Sequence, residues 1–379
     1  MNRFWLFGGM IFLCAANLSS HAAFSSIYIF GDSVSSTTTN GVTGSQTNWY
    51  YGKRYENGRA WVEDLAQRQG LGANSLTTNT WSYSSNNFSF YGNFSPLMVT
   101  NVLNFVAPAN ASNCLFIIWV CNADFVGDEQ NYLPGLNLAP PAGTNLADWT
   151  TAINEHLTNH FRAITNLYAK GVRTVVAPNA VDINLAPAFN GSPTNYQKFV
   201  RQRIMSFNTN FTAMALSLEA QPQYSGLKIV VPDLFSVFDG AVTNAAAYGL
   251  TNALSGGLTI DALQSGLTNL NGAGANYVFW QAFSPSARLN EVFADTAQQA
   301  LSPPVLAGLT PMGGSNRIDA VNLPAGMNGI ILFSTNLSQT TWLTNSTFSA
   351  TNVVQSAFVS PTNSIRFYSL NFPWQWSWP

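Results

Sequence analysis

Short, largely apolar runs recur along the chain at 27–30, 115–120, 174–177 and 227–231. Each ends in small or turn-forming residues, the mark of strands buried on both faces. A further stretch, 87–93, mixes aromatic and polar residues, reaches Gly92 and reads as another strand. Between these runs the apolar positions take helical spacing. Trp61, Leu65 and Ala66 share a face after the Asn57-Gly58 turn, and 97–105 reads as a helix. Ile153, Leu157, Ile164 and Tyr168 line one side of a helix over 148–170, with Asp148 as its cap and Gly171 as its stop. Helices over 196–220 and 287–301 follow, the second with Pro285 at its start. The Gly-, Asn- and Leu-rich run 253–276 reads as a loop. Strands alternating with helices predict an α/β domain whose mostly parallel sheet is covered on both faces.

After Ser302-Pro303-Pro304 the pattern changes. Short alternating segments at 329–334, 341–343 and 364–370 are separated by turn residues, without a helical period. The expected organisation is therefore a three-layer α/β domain over 23–302 and a small all-β module over 303–379, close to the lower size for independent stability. Trp374, Trp376 and Trp378 end the module. Their indole faces either stack on sugar rings or cover the protein's own apolar surface.

Charge narrows the function classes. Only 8% of residues are charged and the net charge is -2. No basic stretch suggests a nucleic-acid partner, and beyond the N-terminus no apolar run is long enough to cross a membrane. Arg3, an apolar core over 4–16 and small residues up to Ala22 read as a signal peptide over 1–22, cleaved after Ala22 or Ala23. Leu13 before Cys14 does not fit a lipid-anchor signal. The expected location is secreted, or periplasmic and outer envelope. Cys114 and Cys121 flank one apolar run. As a strand it separates them by roughly 23 Å, beyond the roughly 7 Å that a disulfide tolerates, so they read as buried free thiols. No metal-ligand set and no cofactor motif is present.

The chemistry centres on the end of the first run, Phe30-Gly31-Asp32-Ser33. A strand ending there holds a serine hydroxyl at the carboxyl edge of a sheet, where open α/β folds take their ligands. The tripeptide alone also makes an ordinary turn. Together with the Tyr55 to Ala66 stretch, this block resembles the GDSL, or SGNH, ester hydrolase family, and the resemblance extends to residue 301. It implies a flavodoxin-like sheet, Ser33 as nucleophile and the Gly92 amide as an oxyanion donor.

Two blocks depart from the family's pattern. Where the family has Gly-any-Asn-Asp, this chain has Cys121-Asn122-Ala123-Asp124. Ala123 stands in the place of the oxyanion asparagine, and Asn122 is offset by one residue. At a strand end that offset turns a side chain the other way, so Asn122 reads as a turn former or a weak substitute donor. Where the family has Asp-any-any-His-Pro, the chain has Gln281-Ala282-Phe283-Ser284-Pro285. Gln281 replaces the aspartate and Ser284 the histidine. An amide carries no charge, and a hydroxyl does not accept a proton at neutral pH as imidazole does. Without a base the Ser33 hydroxyl remains a poor nucleophile. His156 and His160 lie four apart on the 148–170 helix, with no third ligand nearby, and read as surface or core-edge residues out of reach of Ser33.

Two functional readings follow. One is an exported serine ester hydrolase for an acyl or acetyl ester, impaired at its base. The other is a non-catalytic relative that binds a glycan or an acylated ligand at the cell surface. In either, the C-terminal module is available for contact with a surface or another protein. A third, purely structural envelope role would be favoured by a cleft filled by Phe283 or Tyr91.

Overall fold

The most apolar runs form the centre of the sheet. β1 (Ile27–Gly31) and β2 (Leu115–Trp119) pair in parallel, from Ile27 opposite Leu115 to Gly31 opposite Trp119, and every residue of β2 is buried. β3 (Thr174–Val176) and β4 (Lys228–Val230) extend the same parallel sheet in the order β1-β2-β3-β4. This is a computed structural model describing residues 24–37, 47–71, 81–130, 142–251, 254–338, 341–360 and 366–372. The expected leader and the three terminal tryptophans lie outside the described residues.

The stretch 87–93 is not a strand. It makes one parallel bridge, Asn87 to Ile29, with Phe88 N–H donating to Ile29 O at 2.8 Å, and then turns away. Its polar side chains are spent on the end of β1. Asn87 Nδ2 donates to Ser35 O at 2.8 Å, and Ser89 Oγ accepts from Gly31 N–H at 3.0 Å. Counted as the second extended segment, it gives the spatial order 2-1-3-4-5. The chain thus winds outward in opposite directions from β1 and β2, and the crevice between their carboxyl ends is the switch point at which such folds bind ligands.

Seven helices are described: α1 (Trp61–Arg68), α2 (Ser95–Asn104), α3 (Cys121–Gln130), α4 (Leu146–Ala169), α5 (Thr194–Ala220), α6 (Leu234–Thr243) and α7 (Ala287–Leu301). α1 packs on α7 to form one outer layer, and α4 packs on α2 and α5 in the other. Trp119 of β2 meets Trp61 of α1 edge-on at 5.3 Å and Phe293 of α7 at 5.8 Å. On the opposite face Phe116 stacks on Tyr28 at 5.0 Å and meets Phe105, just past α2. Two helices escape the sequence pattern. α3 starts directly at Cys121, where a loop was expected. α6 follows Asp233, whose carboxylate accepts the Ser236 N–H at 3.2 Å. The cap of α4 is Asn145, which accepts from Ala147 N–H at 3.0 Å; Asp148 lies inside the helix.

The 253–276 run holds a small hairpin, β5 (Leu254–Ser255) with β6 (Leu258–Thr259), that turns on Gly256 and Gly257. Both are in the left-handed region, at φ 60° and 82°, which a two-residue turn of this kind demands. A second hairpin, β7 (Phe279–Gln281) with β8 (Ser284–Pro285), brings the Gln281–Ser284 segment beside the turn after β1.

Beyond α7 lie β9 (Val305–Met312), β10 (Ser315–Val321), β11 (Asn328–Ser334), β12 (Leu343–Ser349), β13 (Val354–Val359) and β14 (Phe367–Asn371). They form two antiparallel three-stranded sheets, β13-β10-β9 and β12-β11-β14. β9, β10 and β13 were not legible as strands, and β9 is mostly exposed and contains Gly308 and Pro311. The sheets touch the α/β layers where Ala325 N–H donates to Arg68 O at 3.1 Å and Gln298 Nε2 donates to Asn322 O at 3.4 Å. No helix among the described residues is long and apolar enough to cross a membrane.

Candidate functional site

The residues after β1 fold into a single 3-10 turn, Ser33–Ser35, capped by Asp32, whose Oδ1 accepts the Val34 N–H at 3.0 Å. Gly31 has no room for a side chain: a Cβ there would sit 2.6 Å from Ser35 Cβ and 2.8 Å from Ser89 Oγ. This close approach fixes the turn, and with it the Ser33 side chain, at the switch point. Ser33 is half-buried and its hydroxyl makes no hydrogen bond among the described residues. Asp32 is buried behind it. Burial pushes its carboxyl up to about 7, and nearby Asp124 adds to the rise, while N–H donors from Val34 and Ala123 hold it down.

Gly92 lines the same cleft at φ +77°, and its N–H makes no hydrogen bond among the described residues. The loop is tied to the Ser33 turn by Asn93, whose Nδ2 donates to Gly31 O at 2.8 Å. It is tied to α3 by Asp124, whose Oδ1 accepts the Ser95 N–H at 2.7 Å. The nearest atom to a Cβ added at Gly92 is Phe94 Cε2 at 3.9 Å, so the penalty of Gly92→Ala is a backbone one. A loss of about 1–2 kcal/mol in urea unfolding is expected; an unchanged midpoint would mean the loop relaxes freely.

Asn122 lies differently from the sequence expectation. Because α3 begins at Cys121, positions 122 and 123 are helical neighbours about 100° apart, and both Asn122 and Ala123 line the cleft. Asn122 Oδ1 accepts the Val181 N–H at 3.0 Å, which orients the amide; its Nδ2 has no partner among the described residues.

Gln281 and Ser284 occupy the hairpin beside the Ser33 turn. Gln281 Nε2 donates to Ser284 Oγ at 3.0 Å, and Ser284 is buried. A neutral amide and a neutral hydroxyl satisfy each other where the family resemblance places an acid and a base. The cleft has a volume of about 90 Å³. Its walls are largely apolar, with the aromatic Trp119, Phe189, Phe238 and Phe283 among them, and Phe283 packs edge-on against Phe189 at 5.8 Å. Phe283 and Tyr91 line the cleft without filling it.

The two histidines are not at the core edge; both are fully buried, and neither lines the cleft. His156 Nε2 contacts Asp128 Oδ2 at 2.9 Å and Nδ1 lies 3.6 Å from Asp124 Oδ2. Despite the burial, these carboxylates raise its pKa to about 9. His160 Nδ1 donates to His156 O at 2.8 Å and packs on Phe207 and Phe211. Burial lowers it to about 4, so it is neutral. The signal for His156 is the i, i+4 spacing of Asp124 and Asp128, which face it only because 121–130 is a helix.

A serine turn at the switch point of a parallel sheet, with an open amide beside it, defines the class: an α/β protein with a crevice at the position where such folds bind ligands. No family model matches the chain. A GDSL esterase/lipase of Arabidopsis thaliana is 27% identical over 195 residues, covering 50% of this chain and 48% of that protein. The GDSL esterase/lipase APG of the same plant is 32% identical over 142 residues, covering 35% of this chain and 40% of its own length. The chain thus spans about half the length, or less, of these curated relatives. A crystal structure of an acetyl xylan esterase, AlAXEase, overlaps with a TM-score of 0.37 at 9% identity, over 73% of this chain and 99% of that one, too loosely to bear on the site. Over these stretches the chain is similar to GDSL esterase/lipases.

Proposed function

We propose that this protein binds the short acyl group of an ester or acylated ligand in the Ser33 cleft, outside the cytoplasm, and has lost the imidazole-driven hydrolysis of the family it resembles. The observation that carries this reading is the partly buried hydrogen bond between Gln281 Nε2 and Ser284 Oγ. It leaves no general base at the segment facing Ser33, and a general base contributes roughly 10²–10⁴ in rate. The apolar walls supply the binding. A cleft of about 90 Å³ is smaller than the roughly 150 Å³ apolar cavity that accepts benzene, which suits an acetyl to butyryl chain. The leader over 1–22 is the basis for placing the protein outside the cytoplasm, and the β-sheets beyond residue 303 are proposed as a separate module.

Purified mature protein is expected to hydrolyse p-nitrophenyl acetate no faster than its Ser33→Ala variant. A native rate that falls more than about tenfold in Ser33→Ala, a loss on the scale of a catalytic group, overturns the loss of hydrolysis. It would favour a second reading, a slow serine esterase, for which the open Gly92 N–H and Asn122 Nδ2 are the supporting observations. Binding is tested separately. In saturation-transfer NMR with methyl butyrate, Phe283→Asp is expected to weaken the interaction by at least about tenfold, because a charge would enter an apolar wall.

A further inference from the structure

A second cleft, of about 550 Å³, lies against α1 and α7 and shares no lining residue with the Ser33 cleft. The two are close along the chain: Pro285 lines the first and Ala287 the second. Its size falls in the range of small-molecule sites, and its walls are held in place. Asn57 Oδ1 accepts the Ala287 N–H at 2.8 Å, while Asn57 Nδ2 donates to Leu270 O at 3.0 Å and Ala275 O at 3.3 Å. One buried amide thus joins the first turn of α7 to the 270–276 loop. A Cβ at Gly58 would come within 2.5 Å of Ala287 Cβ, so the loop and the helix meet without slack.

The chemistry of this cleft differs from that of its neighbour. In a chain with few charges, it gathers Arg59, Arg68 and Arg288 with Asp64 and Glu291. Each guanidinium faces a carboxylate: Arg59 and Asp64 at 3.6 Å, Arg68 and Asp295 at 3.0 Å, and Arg288 with Glu291. The positive charge is compensated group by group, so an anion would have to displace an existing partner. The amides of Asn271 and Asn276, both exposed, extend the polar wall. What such a surface offers is closely spaced donors and acceptors without net charge. A ring hydroxyl donates once and accepts twice, so adjacent hydroxyls can bridge a guanidinium and its carboxylate together.

We propose that this cleft is a saccharide-binding site taking a neutral di- or trisaccharide. It stands independently of what the Ser33 cleft holds. The test is isothermal titration of the full mature chain with cellotriose, xylotriose, maltotriose, N-acetylchitotriose and inorganic phosphate. At least one trisaccharide is expected to bind with a Kd of about 1 mM or tighter, and phosphate is expected not to bind. Arg288→Ala and, separately, Asn276→Ala are expected to weaken that trisaccharide by at least about tenfold, the scale of a lost hydrogen bond to a charged or fixed group. Asn276 is exposed, so its substitution keeps the fold in place should the Arg288 variant be unstable. Ser33→Ala is expected to keep saccharide affinity. Three outcomes overturn the proposal: no binding of any trisaccharide, affinity unchanged in the Asn276 variant, or binding of phosphate in preference to the sugars.

Discussion

Gln281→Asp combined with Ser284→His is expected to raise p-nitrophenyl acetate hydrolysis by at least about 10²-fold, the lower end of what general base catalysis contributes. The gain should vanish when Ser33→Ala is added. The geometry favours the pair over either change alone. Gln281 and Ser284 already share a 3.0 Å hydrogen bond on a hairpin beside the Ser33 turn, so an aspartate and an imidazole placed there can hold each other as the two neutral groups now do. Ser284→His alone leaves the ring facing an amide that does not stabilise its protonated form. Ala123→Asn on the double variant should add a further factor of about 10² or more, the worth of one oxyanion donor. If the folded double variant gains nothing, the Ser33 hydroxyl is not aimed at the cleft and these positions do not confer serine ester hydrolysis.

The second large effect is on stability. Arg54 is buried and makes a two-pronged ion pair with Glu63, Nε to Oε2 and Nη2 to Oε1 both at 2.5 Å. Glu63 Oε2 also accepts the Ala60 N–H at 2.9 Å, closing the first turn of α1. Nearby Glu56 is fully buried, and neither of its carboxyl oxygens is hydrogen-bonded among the described residues. Burial pushes Glu56 well above the ordinary range, and the attraction of Arg54 is the main force against that rise. Arg54→Ala therefore leaves the buried Glu63 carboxylate without its counter-charge, and a loss of about 3–5 kcal/mol in urea unfolding is expected. A loss below about 1 kcal/mol would mean that water reaches the pair.

The pH dependence has a definite sign. For a carboxyl whose folded-state pKa is raised, the stabilising proton is fully bound below the unfolded pKa and lost as pH rises through the folded value. Glu56, Asp32 and Asp64, the last two near 7, and Glu129, near 8, all behave this way. His156, raised to about 9, contributes in the same direction. His160 has the opposite sign, but its contribution is flat once pH exceeds the ordinary histidine value. Stability should therefore fall from about pH 6.5, above which His160 no longer opposes the loss, with Asp32 and Asp64 contributing up to about pH 7, Glu129 to about pH 8 and His156 to about pH 9. Glu56→Gln should reduce the slope, and a parallel pH curve for that variant would show that Glu56 takes no part in it.

What could be read from the chain depended on how local the signal was. β1, β2, α4, α5 and α7 were legible because unbroken apolar runs and 3.6-residue spacing are set within a few residues. Gly31-Asp32-Ser33 and the Gln281 and Ser284 replacements were legible as motifs, and the hairpin that carries the replacements does lie beside the serine turn. The 87–93 stretch misled because its aromatic alternation imitates a strand, whereas Asn87 and Ser89 are committed to the end of β1. Asn122 was misplaced because its direction depends on whether residue 121 ends a strand or begins a helix. The state of His156 depends on carboxylates 28 and 32 positions away, Asp128 and Asp124, and no window around the histidine reveals them. β9 and β13 escaped because an exposed strand on a small sheet need not alternate.

Beyond Cys14 the chain carries two cysteines, Cys114 and Cys121, and both are buried and unpaired at either end of β2. Folding therefore needs no oxidant and no disulfide exchange, even in an oxidising compartment. The pair also serves as a native stopwatch. A thiol reagent in solution reaches these sulfurs only when the central strand is uncovered, so the rate at which untreated protein takes up label reports how often the sheet opens.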